Sequence, residues 1–147
     1  MKLEPGQVAV ITGGASGIGL ALARALARRD LQVCLLDVEQ SALRAAVVEL
    51  AGEGLIVEPF VCDVSDAAEV QSIADAVLTR HGRVDLLVNN AGVGGLLSPQ
   101  WATPSEDWAW VLGVNLMGVV NGVRAFVPGM LARGSGHVLN TASLAGL

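Results

Sequence analysis

The feature that most constrains this chain is a glycine-rich turn set between an apolar run and a helical pattern. Residues 12–19 read Thr12-Gly13-Gly14-Ala15-Ser16-Gly17-Ile18-Gly19, directly after Val8-Ala9-Val10-Ile11. A turn of this kind from strand to helix aims backbone N–H groups and the positive end of a helix at an anion such as phosphate. Gly13 permits the turn, Gly17 a close approach of the backbone, and Gly19 close packing of helix on strand. The spacing is Gly-x-x-x-Gly-x-Gly rather than Gly-x-Gly-x-x-Gly. No Lys-Ser or Lys-Thr follows, which argues against a Walker loop and the kinases and GTPases built on it. Glycines can also simply make a tight turn; the strand before and the helix after favour the phosphate reading.

Beyond the turn, runs of strand length alternate with helical patterns. Strands are predicted at residues 7–12, 32–37, 56–62, 84–89 and 137–142. Helices are predicted at 17–29, 41–51 and 66–81, and a long one from the segment Thr103-Pro104-Ser105-Glu106 to about residue 131. The first helix repeats Ile18, Leu22, Ala25, Leu26 and Arg29 on one face, and the second Leu43, Ala46, Val47 and Leu50. Pro59 cannot donate to a ladder, so the third strand is expected at an edge. Ser65 reads as the N-cap of the third helix and Gly82 as its stop. Thr103 reads as a cap, with Pro104 at N1 and Glu106 at N3, and a bend is expected near Pro128. Gly134-Ser135-Gly136 makes the turn into the last strand.

Strand–helix alternation implies right-handed parallel crossovers with helices on both faces of one sheet. The expected fold is α/β: a doubly wound, Rossmann-type parallel sheet of order 3-2-1-4-5, in three layers, open at the strand-5 edge. Residues 1–147 are expected to form one domain. Hydrophobic residues at 52% and charged residues at 16% suit buried strands under Ala-rich helices and exclude a disordered chain.

With a net charge of −5 and dispersed arginines, nucleic acid is excluded as a partner. Cys34 and Cys62 fall in predicted strands without metal-ligand spacing, so no metal is expected; buried free thiols fit a reducing compartment. No secretory pattern opens the sequence, and its apolar runs are too short to span a bilayer. The expected location is cytoplasmic.

Asp37 ends the second strand about 20 residues past the glycines, where a carboxylate accepts from adenosine ribose hydroxyls and repels a 2′-phosphate. No Arg or Lys lies in the turn or just after Asp37. NAD is therefore expected over NADP. A cap on the following helix is the other role open to Asp37.

Four segments now stand in register: Thr12-Gly13-x-x-x-Gly17-x-Gly19, Cys62-Asp63-Val64, Asn89-Asn90-Ala91-Gly92 and Asn140-Thr141-Ala142-Ser143, with Asn115 in the long helix. In this pattern the chain resembles the short-chain dehydrogenase/reductase family over nearly its whole length. The resemblance implies hydride transfer between a nicotinamide and an alcohol or carbonyl carbon of a small molecule. It implies that Ser16 and Ile18 touch phosphate and ribose, and that Asp63 and a backbone group of Val64 hold adenine. Asn90, Ala91 and Gly92 would line the cofactor, with Asn90 also bracing the sheet. Ser143 would polarise the substrate oxygen, and Asn115 would hold a water in a proton relay. Structural roles stand beside these: a helix start at Asp63, a turn at Asn89-Asn90, a satisfied carbonyl at Asn115, a strand-end hydroxyl at Ser143. Trp101, Trp108 and Trp110 are expected to pack rather than bind substrate.

In the family a Tyr-x-x-x-Lys pair lies beyond the Ser. These 147 residues contain no Tyr, and Lys2 is their one lysine. The chain is therefore expected to represent the cofactor-binding portion and to be inactive by itself. The alternative is a non-catalytic NAD-binding or assembly module. Self-association or pairing with a homologous subunit through the strand-5 edge is expected.

Overall fold

A computed structural model describes residues 2–95 and 99–143. Five parallel strands form one sheet of order β3-β2-β1-β4-β5. They are β1 (Val8–Thr12), β2 (Gln32–Asp37), β3 (Val57–Val61), β4 (Leu86–Asn89) and β5 (His137–Asn140). The helices are α1 (Gly17–Ala27), α2 (Gln40–Gly52), α3 (Ala67–His81), α4 (Ser105–Leu112) and α5 (Gly118–Arg133). A π turn, Gly113–Met117, joins α4 to α5. This is the expected doubly wound plan, with β3 at one edge and β5 at the other among the described residues.

Alternate residues of each strand face opposite layers, so the inner strands are apolar throughout. Ala9, Ile11, Leu35 and Val88 pack with Leu26 of α1 and with Leu43, Ala46 and Leu50 of α2. Val8, Val10, Leu36 and Leu87 pack with Val70, Ile73 and Val77 of α3 and with Phe126 and Met130 of α5. Two cores therefore sandwich the sheet. Asp85, 3% exposed, ties β1 to the start of β4 by accepting from Val8 N at 2.9 Å, while Arg83 Nε donates to it at 2.8 Å.

Several local expectations change. The buried stripe of α1 is Gly19, Ala23, Leu26 and Ala27, whereas Ile18 is 62% exposed and Ala25 and Arg29 face solvent. Small residues win that face because the helix approaches the sheet closely. Asp66, not Ser65, caps α3: its carboxylate accepts from Ala68 N at 2.8 Å and Glu69 N at 3.1 Å. Ser65 instead donates to Asp63 Oδ1 through both backbone N (2.9 Å) and Oγ (2.7 Å). Gly82 closes α3 in the left-handed conformation, as expected. No Thr103 capping box forms: α4 begins at Ser105, and Thr103 Oγ1 donates back to Pro99 O at 3.3 Å. In the long helix the hydrogen-bond pattern changes at the π turn, while Pro128 lies inside α5.

The continuous helix Ser105–Arg133 is 29 residues long and holds an 18-residue window of mean hydropathy 1.4, enough by length and composition to cross a membrane. The individual apolar runs in the sequence are shorter, and only the folded helix joins them. Its Phe126 and Met130 are buried against the sheet, and Asn121 is buried at 5% exposure. It is a sheet-packing helix with one face uncovered.

Candidate nucleotide site

The phosphate turn leaves β1 at the carboxyl rim of the sheet. Gly13 (φ +62°) turns the backbone. A side chain at Gly19 would run into Gly13 O and Asn90 Nδ2, so only glycine lets α1 start this close to the turn. Gly17 (φ +51°) has nothing within 4 Å of where a Cβ would stand, leaving its backbone open to the cleft. Ser16 makes no side-chain cap bond, and no acidic residue lies in the first turn of α1. The positive helix end is therefore left uncompensated for an anion.

An open cleft of about 650 Å³ lies in front of this turn. Ten of the eleven residues predicted to bind cofactor line it: Gly13, Ser16, Gly17, Ile18, Asp37, Asp63, Val64, Asn90, Ala91 and Gly92. The eleventh, Gly19, is buried behind the turn. Asp37 Oδ2 accepts from Ala15 N at 3.1 Å and Oδ1 from Glu39 N at 3.1 Å. It thus both holds the phosphate turn and braces the residue that precedes α2. A carboxylate offers about four lone-pair sites, so acceptor capacity toward the cleft remains. Asp63 Oδ1 is engaged by Ser65, and Asn121 Nδ2 donates to Val64 O at 2.9 Å, fixing this segment to α5.

Thr12 and Asn90 bind the rim together. Asn90 N and Ala91 N donate to Thr12 Oγ1 at 2.9 and 3.0 Å, and Thr12 Oγ1 donates to Val88 O at 3.4 Å. Asn90 Nδ2 donates to Thr12 O (3.1 Å) and Gly13 O (3.2 Å), while Thr141 Oγ1 donates to Asn90 Oδ1 at 3.0 Å. Asn90 therefore links β1, β4 and β5. Asn89 is not a turn residue; it ends β4 and its Nδ2 donates to Asn140 Oδ1 at 2.9 Å.

Asn115 sits in the π turn. Its Oδ1 accepts from Val93 N at 2.8 Å and its Nδ2 donates to Val93 O at 2.9 Å. Ser143 lies three residues past the end of β5, on the same rim, but not among the residues lining the cleft. The tryptophans do not pack as expected: Trp101 is 90% exposed, and Trp110 lines the cleft beside Val114. Cys62 also lines it, but burial, then Glu69, Asp63 and Asp66, push its thiol up to about 12. It stays protonated at neutral pH and is no nucleophile. Burial likewise pushes the Cys34 thiol up to about 12.

Sequence reasoning missed the roles of Thr12 and Asn121. Both left a signal. Thr12 is the one hydroxyl in an apolar strand, and Asn121 is a polar residue within an apolar helix.

Residues 7–147 match the family of short chain dehydrogenases. The chain belongs to that family. A short-chain dehydrogenase/reductase from Burkholderia phymatum, solved in complex with NAD, is 48% identical to it with a TM-score of 0.91. That match covers 99% of this chain and 52% of the solved one. A metagenomic short-chain oxidoreductase solved in complex with NADP is 40% identical, with a TM-score of 0.92, over 99% of this chain and 66% of that one. D-threitol dehydrogenase of Mycolicibacterium smegmatis is 41% identical over 140 residues, 95% of this chain and 54% of that enzyme. This short-chain dehydrogenase sequence spans about half the length of the curated relatives it matches, and as little as 23% of one.

Proposed function

We propose that residues 1–147 form the single NAD-binding domain of an oxidoreductase acting on an alcohol or carbonyl carbon of a small molecule. The observation that carries this is the cleft at the strand carboxyl ends, where an open phosphate turn faces the Asp37 carboxylate. Its about 650 Å³ lies in the range of cofactor sites. The bound nicotinamide supplies the hydride chemistry.

The chain's own residues bind and orient. Ser16, Gly17 and Ile18 present the turn and helix start to the pyrophosphate. Asp37 accepts from the adenosine ribose and disfavours a 2′-phosphate, which selects NAD over NADP. Asp63 and Val64 flank the adenine, with Trp110 on the facing wall. Asn90, Ala91 and Gly92 floor the middle of the cleft. Asn115 holds the backbone of Val93 in place. By its likeness to the family, Asn115 holds a water in a proton relay. Ser143 donates to the substrate oxygen. No Tyr lies in these residues to act as acid or base, and a missing acid–base group costs about 10²–10⁴ in rate. Expressed by themselves, residues 1–147 are expected to bind NAD without turnover.

Calorimetric titration tests the cofactor reading. NAD is expected to bind at least tenfold tighter than NADP, and Asp37→Ala to weaken NAD by about tenfold, as for hydrogen bonds to a charged group. NADP binding as tightly as NAD to the unaltered protein would overturn it.

A second reading, an assembly module, is favoured by one observation. Among the described residues, Trp108, Leu112, Leu116, Met117 and Leu131 are exposed on the long helix, and β5 is largely exposed. Such a surface pairs with another chain. Residues 1–147 by themselves are expected to sediment as a dimer or larger species, and a monomer at all concentrations would sink this reading.

A further inference from the structure

At the opposite end of the sheet, three side chains from three elements converge without any sequence spacing to announce them. Cys34 of β2 is buried, Glu58 lies beside it on β3, and His81 is the last residue of α3. Cys34 Sγ and His81 Nε2 are 3.8 Å apart, His81 Nε2 and Glu58 Oε2 are 2.9 Å apart, and all three ligand atoms lie within 4.8 Å of one another. We propose that Cys34, Glu58 and His81 form a binding site for a divalent cation of the zinc class.

The donor set suits that ion: one thiolate, one imidazole and one carboxylate are the types zinc takes in tetrahedral sites. Bond lengths of about 2.0–2.3 Å place neighbouring ligand atoms roughly 3.3–3.6 Å apart. The two measured separations bracket that spacing, and the Cys34 and Glu58 ligand atoms, within 4.8 Å of each other, draw together as the ion seats.

The surroundings orient the ligands. His81 Nδ1 and Gln32 Oε1 are 2.6 Å apart, a contact that fixes the ring with Nε2 toward Cys34 and Glu58. Arg80 pairs with the other oxygen of the same carboxylate, Glu58 Oε1. Partners of this kind fix the ring and the carboxylate around a metal. His81 Nε2 stands 2.9 Å from Glu58 Oε2, a spacing that either a shared cation or an ordinary hydrogen bond satisfies, and the test separates the two. A cleft of about 660 Å³, lined in part by Gln32, Glu58, Arg80 and His81, leaves the fourth coordination position to water. On loading, Zn²⁺ bonds to sulfur and the Cys34 thiol proton leaves to solvent, with no change of oxidation state.

The site is remote from the nucleotide cleft and independent of the NAD reading. The full-length protein, stripped of metal, is titrated with Co²⁺. One equivalent is expected to raise thiolate-to-cobalt absorption in the near ultraviolet, and Zn²⁺ to displace it. Cys34→Ala and His81→Gln should each abolish the band, while Gln32→Leu should weaken binding about 10–100-fold. Because Cys34→Ala alters a buried position, the partly exposed His81→Gln variant carries the test if the first fails to fold. No thiolate band in the unaltered protein overturns the proposal. So does Co²⁺ binding that survives His81→Gln, or a His81→Gln variant that loses stability while metal leaves the unaltered protein's stability unchanged. That last result is the signature of the His81–Glu58 hydrogen bond alone.

Discussion

Thr12→Val is expected to destabilise the protein by about 2–4 kcal/mol and to weaken dinucleotide binding at least tenfold. Valine nearly matches threonine in shape, so the change opens no cavity and removes only the hydroxyl. Thr12 is 4% exposed, and its hydroxyl accepts from Asn90 N and Ala91 N. Two partly buried donors would lose their acceptor at once, at about 1–3 kcal/mol each before any relaxation. The same two N–H groups hold the segment that floors the cleft, so stability and binding should fall together. Urea unfolding reads the first effect as a lower midpoint at unchanged slope, and NAD titration reads the second. A loss under about 0.5 kcal/mol would mean that water replaces the hydroxyl and that Thr12 does not organise the rim.

Gly19→Ala acts on the other side of the turn. Its new methyl would meet Gly13 O, a backbone atom that cannot move without displacing the phosphate turn, and stand 2.8 Å from Asn90 Nδ2. Overpacking of this kind costs about 1–3 kcal/mol, against which alanine returns up to about 1 kcal/mol of helix propensity. A net loss of about 1–2 kcal/mol is expected, with NAD affinity reduced more than tenfold because the turn itself must shift. Gly52→Ala is the internal comparison. It sits in the last turn of α2 with nothing within 4 Å of its Cβ position, so it should be neutral or slightly stabilising. If Gly19→Ala behaved like Gly52→Ala, α1 would not depend on the close approach seen here.

The contrast between these glycines shows what a sequence carries well. The spacing Gly13, Gly17, Gly19 after an apolar strand is a local backbone requirement, and it is legible because only glycine satisfies it. Strand–helix alternation and Pro59 likewise led to the right sheet order and to β3 at an edge, because parallel crossovers have one hand and proline cannot pair. The segments around Asp63 and Asn90 were legible as motifs, and the fold brings them to one rim.

What failed did so for a different physical reason. The buried stripe of α1 was read from its repeat spacing, yet the face that meets the sheet is chosen by how closely the helix can approach, which put Ala23 inside and Ile18 out. Ser65 and Asp66 both look like caps; only the geometry after β3 gave the helix start to Asp66 and turned Ser65 toward Asp63. Trp110 looked like packing and lies on the cleft wall, because its helix surface is uncovered there.

The sequence by itself determined the family, the three-layer parallel sheet and the phosphate turn, since each rests on backbone constraints repeated along the chain. Only the tertiary structure decided that Thr12 holds Asn90 and Ala91 at the rim, that Asn121 anchors Val64 from α5, and that Cys34, Glu58 and His81 meet at the far end. Those contacts join residues that lie 23 to 79 positions apart for the pairs measured. No local pattern encodes such a meeting; strand register and helix placement do.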